Sequence, residues 1–175
     1  MKKYDWISNF NDGLTLVRLN GKYGYVKREG REITPIKYDD IGTFIEGLAR
    51  VRFNDKYGYI NKEGKEVVSI KYNWIECFCE GLACARINGK WGYINKKGEE
   101  VVLCKYDDIG YFIEGLAPVK LNGKWGFVNK KGEEVIPIKY DDVWDFHKGR
   151  ARVQLKDKWM YINKKGKEVR HKKET

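Results

Sequence analysis

The chain repeats itself five times with a period of 34 residues, and this period is the strongest constraint on its fold. A fixed period in this range indicates a solenoid, a propeller or an array, in which each unit buries its apolar face against its neighbours. We therefore predict one repeat domain that spans residues 1–175. The units run without insertion over about 4–37, 38–71, 72–105, 106–139 and 140–175.

Apolar residues alternate with polar residues inside each unit, which is the pattern of a strand rather than of a helix. In the second unit, Ala49, Val51 and Phe53 alternate with Arg50 and Arg52. Helical repeats instead place apolar residues three and four positions apart over about a dozen residues. The alternation therefore predicts that the repeats consist of strands.

Two turns divide each unit into three strands. The first is Asn-Gly, which favours a type I′ hairpin turn because both central residues take positive φ. The second is Asn-Lys-Lys-Gly, in which glycine supplies the left-handed position. A segment of the form Tyr-Asp-Asp-Ile-x-x-Phe-x-Glu-Gly then connects to the next unit. The Asn-Gly turns are Asn20-Gly21, Asn88-Gly89 and Asn122-Gly123.

The predicted fold class is all-β, with five tandem 34-residue three-stranded β-meander units in an open, twisted repeat array. The open form is favoured because the outer units change where solvent would meet them. In the last unit Arg150 replaces a leucine, Met160 replaces a glycine, and Arg170-His171-Lys172 replaces Ile-Pro-Ile. Asn11 and His147 occupy a position that holds isoleucine or cysteine in the inner units. The alternative is a closed five-bladed propeller, which has no ends.

One motif of the repeat resembles a known family. Residues 89–102 read Gly-Lys-Trp-Gly-Tyr-Ile-Asn-Lys-Lys-Gly-Glu-Glu-Val-Val, and sister segments begin at Gly21, Asp55, Gly123 and Asp157. This motif is similar to that of the WG-repeat (KWG) family, and the resemblance covers essentially the whole chain. It implies a β-rich bacterial repeat protein, usually without an assigned biochemical activity, and it supplies no catalytic residues.

The Asn-Gly turn also fixes which residues face each other across the first hairpin, because register counts outward from the turn. This count places a cation opposite an aromatic residue in four units. Such residues are enriched at binding hot spots and can stack single-stranded bases. The alternative is that the aromatics pack between units and the cations only cover them. The candidate binding residues of this basic–aromatic ladder are Arg18 and Tyr23, Arg52 and Tyr57, Arg86 and Trp91, and Lys120 and Trp125.

The leading function that these patterns predict is a non-enzymatic scaffold or adaptor, because a repeat array offers a long, rigid surface for a protein or peptide. One alternative is nucleic-acid binding through the basic–aromatic face, which the net charge of +10 suits. Another is glycan or cell-wall binding. No cofactor and no metal are expected, because the spacing of Cys77, Cys79, Cys84 and Cys104 matches no common zinc motif.

Acidic pairs such as Asp39-Asp40, Asp107-Asp108 and Asp141-Asp142 recur with the repeat. Catalysis needs one singular arrangement, so a repeated pair is better explained by turn chemistry, and we predict no enzymatic activity. No apolar run approaches the roughly 20 residues that span a bilayer, and no secretory signal is evident. We therefore expect a cytoplasmic protein with reduced thiols and no membrane insertion, and we favour a monomer.

Overall fold

The computed structural model describes residues 4–8 and 13–169. Within these ranges the chain forms nineteen strands and no helix, and hence no apolar helix that could cross a membrane. The strands form five antiparallel sheets, one for each repeat. The strands are β1 (Trp6–Ile7), β2 (Leu14–Leu19), β3 (Lys22–Lys27), β4 (Asp40–Ile41), β5 (Leu48–Phe53), β6 (Lys56–Asn61), β7 (Glu66–Tyr72), β8 (Trp74–Ile75), β9 (Leu82–Ile87), β10 (Lys90–Asn95), β11 (Glu100–Tyr106), β12 (Asp108–Ile109), β13 (Leu116–Leu121), β14 (Lys124–Asn129), β15 (Glu134–Tyr140), β16 (Asp142–Val143), β17 (Arg150–Leu155), β18 (Lys158–Asn163) and β19 (Glu168–Val169).

The predicted all-β class and the five tandem units are confirmed, and no sheet within the described residues closes into a barrel. The chain divides into two compact bodies. Of the described residues, 4–8, 13–88 and 95–99 form the N-terminal body, and 89–94 and 100–169 form the C-terminal body. A single domain over the whole chain therefore stays a prediction. Asn11 and Arg170-His171-Lys172, which entered the prediction of open ends, lie outside the described residues.

The second to fifth sheets have four strands instead of the predicted three. The additional strand comes from the connecting segment, where Asp40 and Ile41 pair with Arg52 and Val51 as an antiparallel edge strand. A strand of two residues carries no alternating pattern, so sequence periodicity could not indicate it. The connection between repeats is therefore part of the sheet that follows it.

The first sheet has only three strands because its last segment bulges away from regular pairing. The hydroxyl of Thr34 accepts the backbone N–H of Tyr25 at 2.7 Å. That N–H would otherwise be available to a ladder carbonyl. Only isolated bridges remain, from Glu32 to Val26 and from Tyr38 to Tyr23.

The turns have the predicted left-handed backbone, together with one turn that the sequence pattern did not reveal. Asn122 and Gly123 have φ values of 51° and 79°, as a type I′ hairpin turn requires. Glu46 and Gly47 also have positive φ, at 49° and 82°, and they close a second tight turn. Ile45 and Leu48 exchange both backbone hydrogen bonds across it, at 2.9 and 3.0 Å. The Glu-Gly pair of the connecting segment is therefore a hairpin turn and not an irregular loop.

Both faces of an inner sheet are buried. On one face of the second sheet, Ala49, Val51 and Ile60 are buried, and on the other face so are Tyr59 and Tyr72. A strand that is buried on both faces must have a neighbour on each side. The core of each body therefore lies between successive sheets rather than inside any one of them.

The glycine that follows the recurring aromatic residue lets the third strand approach the second. A Cβ atom added at Gly58 would lie 2.5 Å from the carbonyl oxygen of Val68 and 2.9 Å from the Cα atom of Ile70. The register of β6 and β7 shifts at this point, so the strands cross closely at a bulge. Glycine is required here for space, because Gly58 is not among the residues with positive φ.

We predict that Gly58→Ala destabilises the protein by about 1–3 kcal/mol, since a methyl group would have to displace backbone atoms. Gly42→Ala is the matched control, because its Cβ atom would meet nothing closer than 3.6 Å. Thermal unfolding of both variants by circular dichroism checks this, with about 2–4 °C expected per kcal/mol. Equal melting temperatures for the two variants would show that close approach is not why glycine stands at this position.

Candidate functional site

The structure confirms the predicted register of the basic–aromatic ladder where it lies within one body. Arg18 is opposite Tyr23 and Arg52 is opposite Tyr57 in the N-terminal body. Lys120 is opposite Trp125 in the C-terminal body. Arg86 and Trp91 belong to different bodies, so their pairing stays a prediction.

Each of these three confirmed pairs is part of a longer row that crosses its sheet. In the second sheet, Asp40, Arg52, Tyr57 and Tyr72 are neighbours in register. The order is an acidic or aromatic residue on the edge strand, then a cation, then a half-buried aromatic residue, then a buried tyrosine. We call each such set a cross-strand row. The equivalent rows are Trp6, Arg18, Tyr23 and Tyr38 in the first sheet and Asp108, Lys120, Trp125 and Tyr140 in the fourth.

The central aromatics of the rows are neither fully buried nor fully exposed. Tyr23 packs against the core cluster of the N-terminal body, and Trp125 packs against that of the C-terminal body. Both side chains keep part of their surface in solvent. Both alternatives for the ladder therefore apply to the same residues, because each side chain packs against the core and also keeps part of its surface accessible.

Cations contact the aromatic rings, but not always the cation that the register suggested. The Nζ atom of Lys120 lies 5.4 Å from the ring centroid of Trp125, as expected. In the second repeat, however, Arg52 lies 3.7 Å from the carboxylate of Asp55. The guanidinium beside Tyr57 is that of Arg50, at 5.4 Å from the ring centroid. Arg50 is the register partner of Tyr59, so this is a diagonal contact, which counting outward from the turn does not reveal.

A similar diagonal contact occurs in the last repeat, at a residue that sequence reasoning did not single out. The guanidinium of Arg152 lies 4.6 Å from the ring centroid of Trp159 and 5.0 Å from that of Trp144. Trp144 is 57% exposed. A guanidinium beside an exposed aromatic ring contributes about 0.5–1 kcal/mol. Arg50 and Arg152 thus have similar surroundings in the two bodies.

A different aromatic column joins successive sheets. The ring centroids of Tyr59 and Phe78 are 5.0 Å apart, and the hydroxyl of Tyr59 donates to the carbonyl of Glu76 at 2.9 Å. Burial raises the pKa of Tyr59 to about 12. The phenylalanine column is visible in the sequence, but its partner lies in the preceding repeat. The equivalent pairs are Tyr25 with Phe44, Tyr93 with Phe112 and Phe127 with Phe146.

The first residue of each acidic pair connects an edge strand to two other parts of the protein. Asp107 accepts a hydrogen bond from the backbone N–H of Asn122 at 2.7 Å and forms an ion pair with Lys90. The hydrogen bond from the lysine, followed by that from the backbone, lowers the pKa of the Asp107 carboxyl. Asp39 and Asp141 have the same partners in their repeats and likewise have a lowered pKa.

The second residue of each acidic pair accepts the backbone N–H of the residue that follows it. These bonds are 3.0 Å for Asp40 and 2.9 Å for Asp108 and Asp142. The acidic pairs therefore act in turn chemistry, as predicted. In the described residues, no group of three or more His, Cys, Asp or Glu side chains could hold a metal ion.

Comparison with known families gives one consistent match. The family described as WG containing repeat matches five times in succession, at residues 2–23, 23–57, 57–91, 91–125 and 125–159. Successive matches meet at the central aromatics of the rows. No functionally curated protein matches the chain significantly.

Several solved structures have a similar chain trace with little sequence identity. The extracellular domain of a one component system from B. thetaiotaomicron is 12% identical with a TM-score of 0.37, over 90% of this chain and 27% of that one. PorZ, a surface component of the type-IX secretion system of Porphyromonas gingivalis, is 7% identical with a TM-score of 0.40, over 95% and 25%. Kluyveromyces lactis Hsv2p is 10% identical with a TM-score of 0.41, over 94% and 63%. The chain spans less than two thirds of the length of each of these proteins.

We predict that replacing Asp107 weakens the fold in two steps. Asp107→Asn keeps an acceptor for Asn122 but loses the ion pair, as in the third repeat, where Asn73 accepts the N–H of Asn88 at 2.9 Å. Asp107→Ala loses both interactions and should lower the melting temperature further. Because the folded-state pKa of Asp107 is lowered, its contribution is present above the ordinary aspartate pKa of about 4 and is lost as pH falls through the lowered value.

Melting temperatures measured from pH 7 down to pH 3 check this prediction. The difference between the native protein and Asp107→Asn should be largest at neutral pH and should shrink as pH falls below about 4. Asp108→Asn is the control, because it makes the same charge change and keeps an acceptor for its neighbouring N–H. A difference for Asp107→Asn that stayed constant over this range would contradict the assignment.

Proposed function

Because the chain belongs to the WG containing repeat family, we propose that it is a non-enzymatic scaffold that binds a protein or peptide along its cross-strand rows. The observation that carries this proposal is the repetition of one arrangement at a fixed register: a cation next to a half-exposed aromatic ring. Aromatic and arginine side chains supply much of the binding energy at protein interfaces. A repeated row offers the same contact at regular steps along a partner.

The composition of the rows favours a protein over a nucleic acid. Asp40 faces Arg52, and Asp108 faces Lys120, so a carboxylate stands beside the cation in these rows. A carboxylate repels phosphate and would reduce the counterion release that drives nucleic-acid binding. A polypeptide carries both signs of charge and can match such a row. The test must therefore distinguish the binding of a protein from the binding of nucleic acid, which is the alternative.

The state of the acidic pairs supports a role without catalysis. The carboxylate of Asp107 already binds a lysine and a backbone N–H, and that of Asp108 binds a backbone N–H. A general acid or base must donate or accept a proton within reach of a substrate.

A cytoplasmic location remains part of the proposal and is supported by Cys77 and Cys79, which are exposed thiols outside any disulfide.

The test compares two variants that each lose four positive charges. The row variant replaces Arg18, Arg52, Arg86 and Lys120 by glutamine. The control variant replaces Lys65, Lys97, Lys131 and Lys165, which are exposed at or beside the second turns. Both proteins and the native chain are used to capture partners from lysate, with and without nuclease.

We expect a protein partner that survives nuclease and binds the row variant about tenfold or more weakly than the control variant. Equal loss of binding in both variants would mean that only net charge is recognised. Nucleic acid in the captured material, with every protein lost after nuclease, would replace this proposal by the nucleic-acid alternative.

A further inference from the structure

The N-terminal body contains a small pocket between the second and third sheets, beside the second cross-strand row. Its volume is about 50 Å³. A water molecule needs about 10–15 Å³ by this measure, so the pocket has room for more than a single water molecule. Its lining includes Ile45, Glu46, Arg50, Phe78 and Lys96.

Arg50 brings a positive charge to this pocket in a fixed position. Its Nη1 atom donates to the carbonyl oxygen of Ile75 at 3.0 Å. Its guanidinium lies 5.4 Å from the ring centroid of Tyr57 and 5.3 Å from that of Trp74. Its Nε and Nη2 groups have no acceptor among residues 4–8 and 13–169. The side chain is thus held by three contacts and keeps donors for a further partner.

Three other polar side chains of the pocket, those of Glu46, Lys96 and Tyr59, already have partners. The carboxylate of Glu46 forms an ion pair with Lys96, so these two charges offset each other. The hydroxyl of Tyr59 donates to the carbonyl of Glu76 at 2.9 Å. The charge of Arg50 therefore determines the sign of the pocket, which favours an anion.

Apolar side chains form another part of the wall, which also includes Thr43 and Cys77. Phe78 and Leu48 line the pocket, and Ile45 lines it although 63% of its surface is exposed. A strongly hydrated anion such as free phosphate would gain nothing from these side chains. An anion that carries a short hydrocarbon group would use both parts of the pocket.

We propose that this pocket binds a carboxylate carried on a short aliphatic group, with the carboxylate against Arg50 and the aliphatic group against Ile45, Leu48 and Phe78. A guanidinium matches a carboxylate through two parallel N–H donors. Two sources have this chemistry: a free short-chain acid and the C-terminal residue of a peptide. This site is separate from the proposed binding along the cross-strand rows, because it would recognise a single carboxylate and not a contact repeated along a partner.

Most of the other repeats have no arginine at the position of Arg50. The position of Arg50 is held by Leu16, Cys84 and Pro118 in the first, third and fourth repeats. The last repeat has Arg152 there, beside Trp144 and Trp159. Arg152 has the aromatic contacts but does not line the pocket at Arg50, which makes it the matched control for Arg50.

The test is a titration of the isotope-labelled full chain, followed by NMR at the methyl groups of Ile45 and Leu48. The probes are isobutyrate and its uncharged analogue isobutyramide. For a ligand of six heavy atoms we expect a dissociation constant of about 1–30 mM for isobutyrate. Isobutyramide should bind at least tenfold more weakly, because it offers no charge to Arg50.

Variants decide which residues are responsible. Arg50→Gln should abolish the isobutyrate shifts, whereas Arg152→Gln should leave them unchanged. Ile45→Asp places a negative charge at an exposed position of the pocket, so it should also abolish binding without a risk to folding, and Ile113→Asp is its control in another repeat. Equal shifts with isobutyramide, shifts that persist in Arg50→Gln and Ile45→Asp, or no shifts at all would overturn the proposal.

Peptides distinguish the two possible sources of the carboxylate, a free short-chain acid and a peptide C-terminus. Gly-Gly-Val with a free C-terminus is compared with the same peptide as its amide. Tighter binding of the free peptide than of isobutyrate assigns the site to a peptide C-terminus, and the reverse order assigns it to a small acid. The row variant keeps Arg50, so loss of partner capture in that variant does not affect this measurement, and the two proposals fail separately.

Discussion

The sheets of this protein depend on being covered from both sides. A sheet of four short strands with apolar residues on both faces has no stable state alone, because each face needs a neighbour to exclude water. The contact that meets this need between the second and third sheets is the packing of Tyr59 on Phe78, together with the bond from its hydroxyl to Glu76. The same geometry recurs at Tyr25 and Phe44, so one contact, repeated, holds sheets together.

The first residue of each acidic pair fixes the register in which neighbouring sheets stack. Asp39 binds Lys22 of the preceding hairpin and the N–H of Asn54 at the tip of its own hairpin. One carboxylate therefore joins a sheet, its neighbour and a turn. Because the turn sets the pairing of Arg52 with Tyr57, the cross-strand row is a consequence of these constraints and not a separate feature. The candidate site and the fold have a common origin.

The parts of this architecture that sequence could predict are those set by local rules. The Asn-Gly turn has a single favoured backbone and fixes the register outward from it, which is why the Arg18–Tyr23 and Lys120–Trp125 pairs were predictable. The edge strand at Asp40 was not predictable, because a strand of two residues shows no periodicity in the sequence. The contacts of Arg50 with Tyr57 and Trp74 were also missed, since one is diagonal and the other joins different repeats. Contacts between repeats need the stacking geometry, which no local rule supplies.

The contact between neighbouring sheets has a constant offset along the chain. The hydroxyl bonds of Tyr25 and Tyr59 both reach 17 residues ahead, and the ion pairs of Glu46 with Lys96 and Glu114 with Lys164 both span 50 residues. Each contact between neighbouring sheets is therefore specified by the number of residues between its two partners and not by its position in the chain. Duplication or loss of a whole 34-residue segment would recreate the same contacts between the sheets that become neighbours. Such a gene can change length in whole steps without inventing a new interface, whereas a change of a few residues would break every offset that crosses it.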